Sequence, residues 1–370
     1  MTPAARIQAA IEVIDLVLAA AREGGAAADT IVQRYFSTRR YAGSKDRRAV
    51  RDLAFAAIRA CGEAPVSGRA AMLLLAERDA ALASGFGGSP HGPSPIVAGE
   101  PVAVAGAAPA WLAERLGLPG EELAALVERA PLDVRVNRLR ADLDAIMAEL
   151  PEAVPIAGLP DALRLPAGTN VEPFAGRLEV QDAGSQIVTT AAQAQPGMTA
   201  VDLCAGAGGK ALALAAAMRN EGAIVAADTD RARLSRLAPR AGRAGVSIVE
   251  TLLLNPNRES EALAPWRGAA DVVLVDAPCS GTGTWRRNPE ARWRLTPDRL
   301  GRLVETQGRL LDIGAALVRP GGALVHIVCS LLDEEGAGQI EGFLARHPGW
   351  CAESPTLAAG RQSLALAIRV

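Results

Sequence analysis

The amino-acid sequence predicts an α/β protein, in which a doubly wound, mostly parallel sheet follows an all-α N-terminal domain and a small α/β segment. From residue 181 onward, apolar runs alternate with helical patterns, as strands and helices do in such a sheet. Near the N-terminus, apolar residues recur at helical spacing instead. We therefore expect three segments, namely residues 1–130, 131–180 and 181–370.

Two apolar stripes define the helical domain. Ile7, Ile11, Ile14 and Leu18 form the first stripe, and Val50, Leu53, Ala57, Ile58 and Cys61 form the second. The stretch from residue 84 to 109 is rich in Gly, Pro, Ser and Ala, which predicts a loose loop or linker. The small α/β segment is expected to hold a strand at Val134–Asn137 and a helix at Ala141–Leu150.

Four strands are predicted in the large sheet, and they share apolar character. They are Ala200–Cys204, Ile224–Asp228, Val272–Asp276 and Ala323–Cys329. A helix should begin before the last of them, because Thr296 can cap it and Pro297 suits its first position.

Composition narrows the class of protein. The 370 residues carry a net charge of −2, so any nucleic-acid surface must be local. The five cysteines form no CxxC pair, which argues against a disulfide framework and against zinc. The N-terminus lacks a signal-peptide pattern, and no apolar run is long enough to span a bilayer. We expect a cytoplasmic protein that acts as a monomer, with no membrane partner and no metal.

A glycine-rich turn follows the first of these strands. Cys204 through Lys210 lead from the strand into a helix, Ala211–Met218, and ligands of doubly wound sheets bind at such strand ends. A phosphate-binding loop is excluded, because Cys204 and Ala211 replace the Gly and the Ser or Thr that it requires. A dinucleotide site and a purely structural turn remain open. Asp228 ends the next strand and can bind a ribose diol of either cofactor class.

Two cysteines lie at the same rim as this turn. Cys279 follows one predicted strand, Cys329 ends another, and each is followed by Ser. A single cysteine at a strand end is more often a small buried apolar residue. Two cysteines at the edge of the sheet where a ligand is expected to bind favour a catalytic role.

These motifs resemble those of the Nop/Sun family of RNA cytosine-5 methyltransferases. The segment Asp276–Gly281 together with the second Cys-Ser pair carries the resemblance, which runs from about residue 181 to 340. The chain is especially similar to bacterial 16S ribosomal RNA members with a helical, antiterminator-like RNA-binding domain. The resemblance implies a Rossmann-like class I methyltransferase fold, S-adenosylmethionine as cofactor and ribosomal RNA as substrate.

The resemblance also implies residue roles. Cys329 would attack carbon 6 of cytosine, which makes carbon 5 nucleophilic, and Cys279 would help release the product. Asp276 would lie near the base N3. Lys210 would lie near the cofactor, and we expect it to lower the pKa of a neighbouring thiol. The implied cofactor-binding residues are Cys204, Ala205, Gly206, Ala207, Gly208, Gly209, Lys210, Asp228, Asn255 and Asp276.

The sequence departs from the family at several positions. Asn255 stands where many relatives have an acidic residue, so its contact with the adenine is in question. Val328 replaces the usual Thr before the nucleophile, and Gly336 replaces an Asn. Residues 362–370 lack the usual Gly-Phe-Phe ending. Both cysteines are retained.

Two basic stretches are candidates for RNA contact. Residues 34–59 hold eight basic side chains against two acidic ones, and residues 286–302 hold six against two, with Trp285 and Trp293 interleaved. A solvated helix surface is the alternative for each stretch. The predicted RNA-binding residues are Arg39, Arg40, Lys45, Arg47, Arg48, Trp285, Arg286 and Arg287.

Two other functions compete with methylation. An NAD-dependent oxidoreductase would need a His or Tyr base at the rim, where only His326 is available. A non-catalytic RNA-binding assembly factor would keep the basic stretches but would not need both cysteines.

Overall fold

A computed structural model describes residues 1–353, 357 and 365–369, the last five by their backbone. Two compact units make up the chain. The helical unit comprises Met1–Ala130 and Ser280–Arg299, and the sheet unit comprises Pro131–Cys279 and Leu300–Val370. Residues 131–180 thus belong with the large sheet, and residues 280–299 belong with the N-terminal helices. Among the described residues, no helix has both the length and the apolar character needed to cross a bilayer.

The helical unit is built around the first helix. Its helices are α1 (Pro3–Glu23), α2 (Ala28–Ser37), α3 (Ser44–Ala60), α4 (Gly68–Ala76), α5 (Ala80–Ser84), α6 (Ala110–Leu116) and α7 (Gly120–Ala125). The Thr2 hydroxyl caps α1, and Gly24 ends it in the left-handed conformation. The predicted stripe of α1 is confirmed, because Ile7, Ile11 and Ile14 are buried in the core of this unit.

The loop between α5 and α6 is anchored rather than loose. The Arg69 guanidinium on α4 forms an ion pair with Glu100 and donates to the carbonyl oxygens of Ser94 and Pro95. The composition of residues 84–109 correctly predicted the scarcity of regular structure. It did not predict the attachment to the helices, because Arg69 and the backbone groups of Ala60, Gly62 and Ala70 that bind this loop lie outside the stretch.

The segment 280–299 is an integral part of the helical unit. Arg292 is fully buried, and its guanidinium donates to the carbonyls of Ile58, Arg59 and Cys61 at the end of α3. The Glu290 carboxylate accepts from the Ala28 N–H at the start of α2. The last carbonyls of a helix and its first N–H groups have no partner within the helix. Arg292 supplies the donor at the end of α3, and Glu290 supplies the acceptor at the start of α2.

The sheet unit begins with a small antiparallel sheet. Its elements are β1 (Leu132–Val136), α8 (Leu143–Glu149), β2 (Val154–Pro155), β3 (Ala162–Leu165) and β4 (Leu178–Val180). The strand order is β2-β3-β1-β4, with every pair antiparallel. Val134, Val136, Ile146 and Leu163 form its separate core.

The large sheet has the predicted doubly wound form. Its elements are α9 (Ala183–Thr190), β5 (Thr199–Asp202), α10 (Gly209–Ala217), β6 (Ala223–Asp228), α11 (Arg231–Leu234), α12 (Leu237–Ala244), β7 (Val249–Leu253), α13 (Glu259–Ala262), β8 (Ala270–Asp276), α14 (Pro297–Ala315), β9 (Val318–Ile327), α15 (Ala337–Arg346), β10 (Cys351–Glu353) and β11 (Ala365–Arg369).

Strand order places a ligand site at the centre of this sheet. The order is β10-β11-β9-β8-β5-β6-β7, and the five strands from β9 to β7 are parallel. The antiparallel β11 pairs with β9. The order reverses at β5, which lies between β8 and β6, and the carboxyl ends at such a reversal form a crevice for ligands. The predicted fold class is confirmed.

Candidate active site

The glycine-rich turn between β5 and α10 lies at this reversal point. Gly206 and Gly208 have φ angles of +55° and +84°, in the left-handed region that favours glycine. A Cβ on Gly208 would lie 2.4 Å from Cγ of Leu237, and one on Gly206 would lie 2.4 Å from Nη2 of Arg233. The backbone conformation therefore favours glycine at both positions, and at Gly208 the packed Leu237 side chain also leaves no space for a Cβ. The turn runs into the start of α10, where unpaired backbone N–H groups can bind a polar ligand.

Asp228 braces the turn from the neighbouring strand β6. One carboxylate oxygen accepts from the Gly206 N–H at 2.7 Å, and the other accepts from the Asp230 N–H at 2.7 Å. Each oxygen keeps a second lone pair for a ligand hydroxyl. Asn255 lies just beyond β7 and is exposed. Contacts of Asp228 with a ribose and of Asn255 with an adenine stay predictions.

Asp202 is a buried carboxyl group beneath the turn. It ends β5, is fully buried, and neither oxygen has a hydrogen-bond partner. Burial, followed by the nearby Asp276 carboxylate, raises the pKa of Asp202 to about 7, and Lys210 opposes this rise. The site thus contains a carboxyl group that can be neutral at a pH where other aspartates are charged.

The two predicted reactive cysteines meet at the rim. Sγ of Cys279 lies 3.3 Å from Sγ of Cys329, within hydrogen-bonding distance. Cys279 follows β8 by three residues and Cys329 follows β9 by two, and these strands are parallel neighbours. Adjacent carboxyl ends of the sheet therefore bring the thiols together. Cys329 is the more exposed of the two.

The direction of the pKa shift separates Cys329 from the buried cysteines. The hydrogen bond with Cys279 holds the pKa of Cys329 below its usual range, against the opposing effects of burial and of Asp276. Burial raises the pKa of Cys61 to about 11 and also raises that of Cys204. Because the thiolate is the nucleophile, Cys329 is suited to attack, whereas Cys61 and Cys204 are not.

Lys210 and Asp276 form an ion pair beside the thiols. Nζ of Lys210 lies 2.5 Å from Oδ2 of Asp276, with both side chains mostly buried. Lys210 lowers the pKa of Cys329, as the sequence predicted, but Asp276 raises it and the Cys279 hydrogen bond has the larger effect. Lys210 therefore acts on Cys329 less strongly than Cys279 does, and its direct partner is Asp276.

The first basic stretch is only partly available for RNA. Arg40, Lys45 and Arg48 are exposed. Arg47 donates to the carbonyl of Ala42, and Arg39 lies over the Tyr35 ring, 3.6 Å from its centroid. Tyr41, which the sequence reasoning missed, is 72% exposed and follows Arg40 directly. An aromatic residue next to two arginines was the signal that could have identified it.

The second basic stretch requires a correction. Trp285 is fully buried, so the prediction that its ring contacts RNA is wrong for this structure. Its ring has no exposed surface on which a base could stack. Arg286 donates to the carbonyl of Arg129, and its guanidinium lies 3.6 Å from Glu128. Arg287 is half-buried. Contacts of Arg286 and Arg287 with RNA stay predictions.

No group of three or more His, Cys, Asp or Glu residues with metal-binding geometry occurs in the part of the chain that the structure describes.

The parallel sheet and the glycine turn at its carboxyl edge form the Rossmann-like fold of methyltransferases. Residues 189–365 match the family model for the 16S rRNA methyltransferase RsmB/F. The probable ribosomal RNA small subunit methyltransferase B of Synechocystis sp. is 38% identical over 246 residues, which are 63% of this chain and 54% of that protein. The chain spans 54% to 62% of the length of the first curated relatives that it matches.

Solved structures share the fold. The crystal structure of PH0851 matches with a TM-score of 0.73 and 25% identity, covering 100% of this chain and 98% of that one. NSun6 from Pyrococcus horikoshii, solved with SFG, matches with a TM-score of 0.58 and 16% identity, covering 69% of this chain and 95% of that one.

Proposed function

We propose that this chain methylates carbon 5 of a cytosine in small-subunit ribosomal RNA, with S-adenosylmethionine as donor and Cys329 as nucleophile. The observation that carries the proposal is the pair of thiols 3.3 Å apart at the rim of the sheet. The named relatives are ribosomal RNA small subunit methyltransferases, which supports this RNA as the substrate.

The residues at the turn fit S-adenosylmethionine. Glycine occupies the two tight positions, and Asp228 has spare lone pairs for the ribose diol. The P. horikoshii NSun6, which shares this fold, was solved with SFG, a cofactor analogue. When bound, S-adenosylmethionine supplies an electrophilic methyl group. We assign the cofactor to Cys204–Lys210, Asp228, Asn255 and Asp276.

Covalent catalysis follows from the two thiols. The Cys329 thiolate adds to carbon 6 of the cytosine, and the electrons of the C5–C6 double bond become available at carbon 5. Asp276, at the end of β8, would deliver the proton that N3 takes up as this negative charge develops, and would take it back when the bond to Cys329 breaks. After carbon 5 has been methylated, Cys279 assists removal of the carbon 5 proton, and the bond between Cys329 and carbon 6 breaks.

RNA would be held by the exposed basic residues of the helical unit. Arg40, Lys45 and Arg48 suit contact with phosphates, and Tyr41 suits stacking on a base. The target cytosine must leave any base stack to reach Cys329. We propose a monomer in the cytoplasm, where thiols stay reduced.

The test is methyl transfer from labelled S-adenosylmethionine to unmodified small-subunit ribosomal RNA, followed by mapping of 5-methylcytosine. We expect the wild-type protein to label one or a few cytosines and Cys329→Ala to label none. Cys279→Ala should accumulate protein bound covalently to RNA, visible as a retarded band on a denaturing gel.

Cys351→Ala is the matched control, because this exposed cysteine lies on β10 and has no place in the proposed reaction. It should methylate at the wild-type rate. Normal methylation by Cys329→Ala would overturn the assignment of the nucleophile, and label in no cytosine of any RNA would overturn the proposed function.

A further inference from the structure

A buried glutamine connects the two loops that carry the reactive cysteines. Gln307 lies on α14 and is 0% exposed. Its side-chain Nε2 donates to the carbonyl of Pro278 at 3.0 Å and to Oε1 of Glu335 at 2.9 Å. Pro278 immediately precedes Cys279, and Glu335 lies in the loop that follows Cys329. One amide group therefore contacts both loops.

The orientation of this amide follows from chemistry. Both partners of the amide are acceptors, because one is a carbonyl oxygen and the other belongs to a carboxyl group. The nitrogen must therefore face them, and its two hydrogens serve one acceptor each. Gln307 Oε1 has no hydrogen-bond partner, so the amide nitrogen makes the bonds that hold this side chain.

Glu335 is also held by its main chain. Its carbonyl oxygen lies 2.8 Å from Nε2 of His326, which is buried on β9 three residues before Cys329. Burial lowers the pKa of His326, so the ring is neutral and Nε2 carries the donated proton. The loop after Cys329 is thus fixed to its own strand by His326 and to the Cys279 loop by Gln307.

Packing alone does not account for the buried pair of Gln307 and Glu335. Burying an amide and a carboxyl group carries a desolvation cost, and apolar residues of similar volume would fill the same space without that cost. A polar connection does provide directional bonds that fix the separation of two loops.

We propose that Gln307, acting through Pro278 and Glu335, is a positioning residue that holds the Cys279 and Cys329 thiols at their working separation. Its consequence for methylation rests on the proposed function. The geometric part does not, because the separation of two thiols can be measured without RNA or cofactor.

The test variants remove the amide bonds but keep the volume. Gln307→Met deletes both donors at similar length, and Gln307→Asn keeps an amide that is too short to contact both loops. Gln339→Met is the matched control. Gln339 is likewise buried and donates to the carbonyls of Val304 and Glu334, but it does not contact the Cys279 loop. Thermal unfolding shows which variants are folded.

The first readout is disulfide formation with diamide. The two thiols lose two electrons and two protons, which convert the N=N bond of diamide into a hydrazine, and a bond forms between the sulfurs. Peptide mass mapping follows the Cys279–Cys329 linkage. We expect it to form more slowly in both Gln307 variants and at the wild-type rate in Gln339→Met.

The second readout is methylation of RNA. We expect kcat to fall about 100-fold in Gln307→Met with KM for RNA unchanged, because misplacement of reacting groups by about 1 Å has an effect of this order. Glu335→Gln should stay close to wild type, because it keeps an acceptor oxygen for the Gln307 amide.

Wild-type rates of disulfide formation in a folded Gln307→Met or Gln307→Asn protein would overturn the inference. Slower linkage in these variants, together with no methylation of any RNA by the wild-type protein, would refute the proposed function and leave the positioning role intact. Equal slowing in Gln339→Met would also overturn the inference, because it would show a general loosening of α14 and α15.

Discussion

Replacing Asp202 with Asn should change the way in which the stability of this protein depends on pH. The carboxyl group is fully buried at the end of β5, and its pKa rises from 3.8 to about 7 on folding. Between these two values the group is protonated in the folded chain and ionised in the unfolded chain. Folding therefore takes up a proton, and the stability of the wild-type protein falls as the pH rises.

The size of the effect follows from the shift. A rise from 3.8 to about 7 corresponds to about 4 kcal/mol, of which about 2 to 3 kcal/mol falls between about pH 5 and pH 8. The contribution of Asp202 is complete below its unfolded pKa and is lost as the pH rises through its folded pKa. An amide does not titrate, so Asp202→Asn should become more stable relative to wild type over this interval.

Urea denaturation at several pH values, followed by circular dichroism, measures this difference. Asp271→Asn is the control, because burial raises the pKa of Asp271 but hydrogen bonds from the Thr199 N–H and Arg319 outweigh it and lower the pKa. This variant should be less stable by an amount that does not vary between about pH 5 and pH 8. Parallel pH profiles for wild type and Asp202→Asn would refute the reasoning.

Three further predictions concern other parts of the molecule. The rate of Cys329 alkylation by iodoacetamide should reach half its maximum at a pH below that of an ordinary thiol, and Cys279→Ala should raise this midpoint pH. An unchanged midpoint in Cys279→Ala would contradict the role of the hydrogen bond. Arg292→Met should destabilise the helical unit by about 2 kcal/mol or more, because the buried carbonyls lose their donor. Thermal unfolding measures the loss of stability, and an unchanged unfolding midpoint would contradict this prediction. Gly208→Ala should cost about 1 to 2 kcal/mol from its left-handed backbone and weaken binding of S-adenosylmethionine, measured by calorimetry; wild-type affinity would contradict the tight fit of the turn.

The rim of the sheet could be predicted from local patterns. Continuous apolar runs identified the parallel strands, and the residues just after them had to lie at one edge. Strand ends were less accurate, because Cys204 and Cys329 each lie two residues beyond their strands. The start of α14 at Pro297 was predicted correctly, since Thr296 accepts from the Arg299 N–H as a cap.

The role of the second basic stretch could not be predicted in this way. A stretch rich in Arg and Trp looks the same in sequence whether its side chains face RNA or lie inside the protein. Arg292 binds carbonyls more than 230 residues away in the chain, and Gln307 binds loops that are about 29 residues away on either side. Neither partner leaves a periodic signal, because the contacts depend on tertiary structure rather than on spacing.

Because residues 280–299 are part of the helical unit, the chain cannot be cut at one point into two complete folding units. A fragment that stops at Ala130 would leave the carbonyls at the end of α3 and the start of α2 without Arg292 and Glu290. An isolated N-terminal fragment for RNA studies would therefore need residues 280–299 fused to it or co-expressed with it. A chimaera that takes its helical unit from a different relative would have to take residues 1–130 and 280–299 from that same relative.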